Sequence, residues 1–158
     1  MLSSQKDEQG NLTQLDYNEN GQLSAIKDPT GLTYNVSMND SGYISRIGLP
    51  NGSSLSYDYD DWGHLIAFTD ATGAVTRYDY NNDDLMTAWY DGKGTKIIEN
   101  TYDEKGRVTK QTDGTGAVST LSYGDGQTST TDANGAVTIY YYDKEYRTTK
   151  IEYPDQTS

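Results

Sequence analysis

Polar and apolar residues alternate along this chain in short runs, and the alternation keeps returning. Leu32, Tyr34, Val36 and Met38 form one set, Ser53, Leu55, Tyr57 and Tyr59 a second, and Ala136, Thr138, Tyr140 and Tyr142 a third. A period of two places a set on one face of a β-strand. Val, Ile, Thr and Tyr, which recur in these runs, suit a pleated surface. A second kind of run is less regular. Its apolar pairs are Leu23 and Ile26, Ile44 and Ile47, Leu65 and Phe68, Met86 and Trp89. A spacing of three sends each pair to opposite faces unless a β-bulge intervenes, and the pattern alone leaves both readings open.

Turn signals separate the runs. One follows a leading tyrosine, as in Asn18-Glu19-Asn20-Gly21, Asp60-Asp61-Trp62-Gly63 and Asp103-Glu104-Lys105-Gly106. The other falls half a repeat later, as in Asp28-Pro29-Thr30-Gly31, Asp70-Ala71-Thr72-Gly73 and Asp132-Ala133-Asn134-Gly135. Asp or Asn first and Gly fourth is the signature of a type I turn. The Asp side chain bonds nearby backbone amides, and Gly accepts a positive φ without steric cost. Loops of this length join antiparallel strands.

The leading positions are Tyr17, Met38, Tyr59, Tyr80, Tyr102, Tyr123 and Tyr142, separated by 21, 21, 21, 22, 21 and 19 residues. Such a period marks a repeat architecture, in which one unit cannot bury its own apolar face. The whole chain, 1–158, reads as a single array of seven units, in register from Asp7 to Asp155, with no separate domain. The extra residue after Gly94 predicts a bulge near 96–100. The short unit led by Tyr123 predicts a tighter hairpin. Asp84 and Tyr146 stand where Gly is usual.

Composition changes this picture in one respect. Hydrophobic residues make up 33% and the net charge is -12, yet there are 15 tyrosines. Ten of them fall on the alternating face: Tyr17, Tyr34, Tyr57, Tyr59, Tyr78, Tyr80, Tyr102, Tyr123, Tyr140 and Tyr142. The expectation is a thin, tyrosine-lined, partly wet sheet in which cross-strand aromatic pairs replace an oily core. The acidic balance argues against nucleic acid, anionic membranes and sulfated polysaccharides as partners. With no Cys there is no disulfide or thiolate site, and no apolar run is long enough to span a bilayer.

Candidate chemistry is sparse. His64 is the one histidine, and Gln22, Tyr43, Leu85, Arg107 and Arg147 hold its place in other repeats, which reads as a surface position. Asp58, Asp60 and Asp61, and Asp79, Asp83 and Asp84, offer oxygen ligands but form no calcium-loop motif. No catalytic residue, metal ligand or cofactor is expected. Trp62 sits inside a turn, where a large ring is unusual, and is the candidate contact for a ligand. Trp89 shares its place with Ile26, Ile47, Phe68 and Ile151, which favours packing.

The repeat resembles the YD repeat of the Rhs family, found in Rhs and wall-associated toxins, Tc toxin shells and teneurins. Tyr59-Asp60-x-x-Gly63 with Leu65 and then Asp70-x-x-Gly73 carry the resemblance, as do Tyr102-Asp103-x-x-Gly106-Arg107-Val108 and Asp113-x-x-Gly116. Tyr142-Asp143 and Tyr153-Pro154-Asp155 fit the same scheme. The resemblance implies an all-β fold: antiparallel β-hairpin repeats in a curved or spiralling sheet, a segment of a shell. It also implies a non-catalytic role in a secreted or surface protein, where the wall encloses or presents another domain. The alternative is a module that binds glycans or cell-surface proteins through the repeat face. Partners would be the rest of a longer parent chain or an enclosed C-terminal toxin domain, with self-association through open sheet edges as a further expectation. Shells of the toxin type carry an aspartyl protease motif, Asp-Pro-x-Gly-Leu, which Asp28-Pro29-Thr30-Gly31-Leu32 matches. That chemistry needs a second acid, and one repeat later Leu49-Pro50-Asn51-Gly52 supplies none. Asp28 is therefore expected to be a turn residue.

Overall fold

The computed structural model describes residues 2–154. Asp155, expected to close the register, lies outside the described residues. Fifteen strands and no helix make up the described chain. It divides into two compact units, with the boundary between Arg77 and Tyr78.

The first unit holds β1 (Ser4–Lys6), β2 (Leu12–Tyr17), β3 (Leu23–Lys27), β4 (Thr33–Met38), β5 (Ile44–Gly48), β6 (Ser54–Tyr59) and β7 (Leu65–Thr69). The boundary falls inside β8 (Val75–Tyr80). The second unit continues with β9 (Met86–Tyr90), β10 (Lys96–Tyr102), β11 (Val108–Asp113), β12 (Val118–Gly124), β13 (Gln127–Thr131), β14 (Val137–Tyr142) and β15 (Thr148–Glu152). Within each unit every strand pairs antiparallel with the next one in the chain. The fold is all-β, built from consecutive hairpins, as the turn spacing predicts.

The turns are built alike. At Asp70 the backbone N–H donates to the Ala74 carbonyl (2.9 Å), and Gly73 N–H donates back to the Asp70 carbonyl (3.0 Å). Asp70 Oδ1 then accepts from Thr72 N–H (2.8 Å), Ala74 N–H (3.0 Å) and Thr72 Oγ1 (2.6 Å). One side-chain oxygen thus satisfies two backbone donors that would otherwise face solvent at the tip. Gly73 closes the turn at φ 89°. Asn18 and Asn81 build the same arrangement with an amide oxygen. An amide oxygen therefore serves as well as a carboxylate, and the Leu49 turn keeps the same backbone bonds with neither in the first position.

Two turns place a side chain where the backbone asks for Gly: Asp84 at φ 62° and Tyr146 at φ 60°. A left-handed conformation costs a bulky residue about 1–2 kcal/mol. Tyr146 is 83% exposed, and its ring lies tilted against Tyr142, centroids 5.7 Å apart. Tyr146→Gly should therefore stabilise the chain, by about 1 kcal/mol after loss of that contact. Chemical denaturation of the two proteins measures it.

The unresolved choice at the less regular strands has a definite answer. Asp58 faces Ala67, yet Tyr59 faces Leu65, so Ile66 is extra. The same shift leaves Ser24, Ser45, Thr109 and Thr149 unpaired opposite the leading residue of each repeat. The bulge re-phases the strand, so Leu65 and Phe68 both lie on the face of Tyr59 and Tyr57. Three of the extra residues use their hydroxyl to hold the kink. Ser45 donates to the Ser37 carbonyl, Thr109 to Thr101 and Thr149 to Tyr141, each at 3.3 Å. The further bulge expected near 96–100 occurs between Lys96 and Ile98, against β9. The tighter hairpin is β12–β13, where Gly124 faces Gln127 across a two-residue loop.

Among the described residues only Val36 and Ala88 are buried hydrophobics, and no side chain is fully enclosed. Cohesion comes from half-buried rings and hydrogen bonds and not from a deep core.

Candidate functional site

The tyrosine face is the one extended, chemically uniform surface, so the site is built from there. In the first unit, Tyr17, Tyr34, Tyr57 and Tyr59 share a face by register. In the second, Tyr102, Tyr123, Tyr140 and Tyr142 do so. Tyr78 and Tyr80 alternate on β8. Tyr140 is the most exposed of the ten, at 37%.

The leading tyrosines have a task the sequence does not display. Tyr59 Oη donates to the Ile44 carbonyl (3.0 Å), Tyr123 Oη to Val108 (2.6 Å), and Tyr142 Oη to Gln127 (3.1 Å). Tyr17 reaches Leu2 (2.7 Å), and Tyr102 reaches Met86. In β5, β9, β11 and β13 the acceptor is the first residue of the strand before the tyrosine's own. At Ile44, Met86 and Val108 the hairpin ladder has already opened, so the phenol stands in for a backbone donor, whereas Gln127 is still paired with Tyr141 and the Tyr142 phenol adds to that ladder. Met38 leads the one repeat with no hydroxyl at this place.

A second slot lies five residues after the leading position. Tyr43 stacks on Tyr59, with centroids 4.9 Å apart and planes 23° apart. Arg107 lies over the Tyr123 ring at 4.2 Å, and Leu85 packs beside Gly106. The position lies at the surface in several repeats, Arg147 being 73% exposed, but at Tyr43, Leu85 and Arg107 the side chain also lies against the following repeat. It tolerates Tyr, Arg and Leu because each offers a flat or apolar flank. His64, in the same slot, is 17% exposed, with Nδ1 2.8 Å from Asp60 Oδ2.

Trp62 stands at the tip of the Asp60–Gly63 turn and is 80% exposed. Its backbone N–H donates to Asp60 Oδ1 (3.0 Å), which fixes the turn and leaves the indole in solvent. Asp28 is held as a turn residue by Thr30 N–H (2.8 Å), Thr30 Oγ1 (2.7 Å) and Leu32 N–H (3.0 Å). Among the described residues, no three of His, Asp and Glu gather in a metal-binding arrangement. A shallow depression of about 330 Å³ on the first unit is lined by Asn35, Ser37, Arg46, Gly48, Leu49, Gly52 and Ser53, with no carboxylate pair.

Electrostatics are concentrated at the turns. The Thr30, Thr72 and Thr115 hydroxyls hold the Asp28, Asp70 and Asp113 carboxyls below the ordinary 3.8. Arg107 and Arg147 do the same for Asp103 and Asp143, the Asn11 side chain for Asp7, and the Thr95 amide for Asp91. At a net charge of -12, repulsion would push the carboxyls upward, so the local bonds outweigh it. A depressed folded-state value stabilises above the unfolded value and ceases to do so as pH falls through the folded one. Tm should therefore be flat near neutrality and fall below about pH 4. The triple variant D28N/D70N/D113N should keep the turn geometry, as Asn18 and Asn81 show, but lose the part of the neutral Tm that the ionised carboxyls contribute and with it part of the acid decline. Thermal melts across pH check both.

Residues 59–96 match the model of the RHS Repeat family. No curated protein matches the chain in sequence. Solved structures are similar in fold. TcdB2-TccC3 without its hypervariable C-terminal region superposes with a TM-score of 0.74 at 16% identity, over 98% of this chain and 10% of that one. TcdB2-TccC3 gives 0.72 at 15% identity, over 98% and 10%. The Photorhabdus luminescens Tc holotoxin pore gives 0.70 at 13% identity, over 92% and 9%. The chain thus spans about a tenth of the length of the solved chains it matches.

Proposed function

From the match of residues 59–96 to the RHS Repeat model and the likeness in fold to TcdB2-TccC3, we propose that the chain belongs to the RHS-repeat family and is a non-catalytic length of β-shell wall. The single array would belong to a longer secreted or surface protein and would enclose or present another domain of it, such as a C-terminal toxin domain. The observation that carries this reading is the recurrent hydroxyl-to-carbonyl bond of the leading tyrosines. It ties the open end of several hairpins to the strand before and leaves a hydrogen-bonded surface with few loose ends for a protease. The chemistry of the face is that of a wall: the phenols of Tyr17, Tyr59, Tyr102, Tyr123 and Tyr142 are occupied with backbone carbonyls, and the turn carboxylates with backbone amides.

The test uses the parent chain with its flanking regions. Limited proteolysis should leave a domain following the repeats intact while attached to them, and digest it when expressed alone. Equal cleavage rates in both settings would overturn enclosure.

The 80% exposure of Trp62 favours a second reading, in which the turn tip contacts a glycan or a cell-surface protein. Calorimetric titration with a panel of neutral oligosaccharides separates the two. The wall reading expects no heat of binding. The contact reading expects saturable binding that Trp62→Ala abolishes with the circular dichroism spectrum unchanged.

A further inference from the structure

The slot five residues after the leading position is held by Gln22, Tyr43, His64, Leu85, Arg107 and Arg147, and at Tyr43, Leu85 and Arg107 its side chain packs against the next repeat. At Tyr43 alone among these is the occupant a phenol, and it lies on another phenol, that of Tyr59. The rings are stacked face to face, 4.9 Å between centroids and 23° from parallel. Tyr43 is 42% exposed, whereas Tyr59 is half-buried and donates its hydroxyl to the Ile44 carbonyl. The pair is also held in place. The Tyr43 hydroxyl rests on the backbone of Gly63, so close that a Cβ added there would meet Tyr43 Cζ at 2.8 Å.

We propose that Tyr43 and Tyr59 are an oxidative cross-linking site, at which peroxide chemistry joins two neighbouring repeats through a dityrosine bond. The oxidant is hydrogen peroxide acting through a haem peroxidase. The exposed Tyr43 phenol gives up one electron and its proton and becomes a phenoxyl radical. Tyr59 can then pass an electron across the stack and lose its own proton, after which Tyr43 is oxidised again. The two radicals couple through ring carbons ortho to oxygen. Each of those carbons then gives up its hydrogen as a proton while its ring oxygen takes one back, which restores two aromatic phenols. The protein loses two hydrogen atoms in all, and one peroxide takes up two electrons and two protons to give two waters. Stacking matters because radicals on rings held in register combine with each other before they meet another chain.

The cross-link stands independently of the wall reading, since it needs only the two rings and an oxidant. Its effect would be mechanical: the end of β6 becomes covalently tied to the turn that follows β4.

The experiment treats the dilute full-length chain with horseradish-type peroxidase and hydrogen peroxide. The expected product is a monomer with dityrosine fluorescence and a raised Tm. Trypsin cuts after Lys27, Arg46 and Arg77, so peptides 28–46 and 47–77 should appear joined and two hydrogens lighter. Tyr43→Phe keeps the stacked ring, and a matching circular dichroism spectrum shows the fold intact. It should abolish the joined peptide, and Tyr59→Phe should do the same. The proposal is overturned if oxidation yields only chain-to-chain products, or products confined to the exposed Tyr146 and Tyr153. It is equally overturned if the joined peptide persists in Tyr43→Phe, since Tyr34 and Tyr57 would then be the partners.

Discussion

Gly63→Ala is expected to destabilise the chain by about 2–4 kcal/mol, the largest effect of any single methyl group added to a turn. Two costs combine. The residue sits at φ 92°, where a Cβ opposes the backbone by about 1–2 kcal/mol. The new methyl would also collide with the Tyr43 phenol, whose stack on Tyr59 leaves it little room to withdraw. Gly73 separates the terms. Its φ is 89° and an added Cβ would meet nothing within 4 Å, so Gly73→Ala should show the backbone cost alone. Adding Tyr43→Ala to Gly63→Ala should recover the steric part. Urea titrations of the four proteins measure every term, and equal losses at Gly63 and Gly73 would refute the collision.

The second large effect concerns the hydroxyl of a leading tyrosine. Tyr123→Phe removes one donor and leaves the Val108 carbonyl unpaired at a partly buried place, which costs about 1–2 kcal/mol. Tyr123→Ala also removes the ring beneath Arg107 and should cost about 3 kcal/mol. The difference between the variants measures the ring and the first of them measures the phenol. If Tyr123→Phe were neutral, the column would be a packing ladder only, and the wall reading would lose its main support.

The hairpin fold was legible because its signals are local. An Asp or Asn placed three residues before a Gly supplies both the acceptor and the positive φ, whatever surrounds it. Changes of spacing were legible for the same reason: the residue added after Gly94 became the bulge in β10, and the shortened unit became the Gly124–Gln127 hairpin. The tyrosine hydroxyl bonds were not legible, because each acceptor is a backbone carbonyl about fifteen residues away, and carbonyls carry no letter in a sequence. The slot of Tyr43, Leu85 and Arg107 was legible only in part, for a related reason. Variation from Tyr to Arg to Leu looks like indifference, yet each flanks a ring or a glycine of the next repeat. The bulges opposite the leading residues were ambiguous, since spacing three is compatible with either face until the register is known.

Those bulges carry a consequence for how such a chain can change length. An odd number of residues per unit should turn alternate copies of a strand inside out. The single unpaired residue in the units led by Tyr17, Met38 and Tyr59 restores parity, so these leading residues fall on one side from copy to copy. Gain or loss of an entire unit by gene duplication or recombination therefore leaves every neighbour correctly oriented, while a one-residue slip has to be absorbed on the spot, as the bulge between Lys96 and Ile98 absorbs the residue added after Gly94. Growth by whole copies is the step that asks for no such repair.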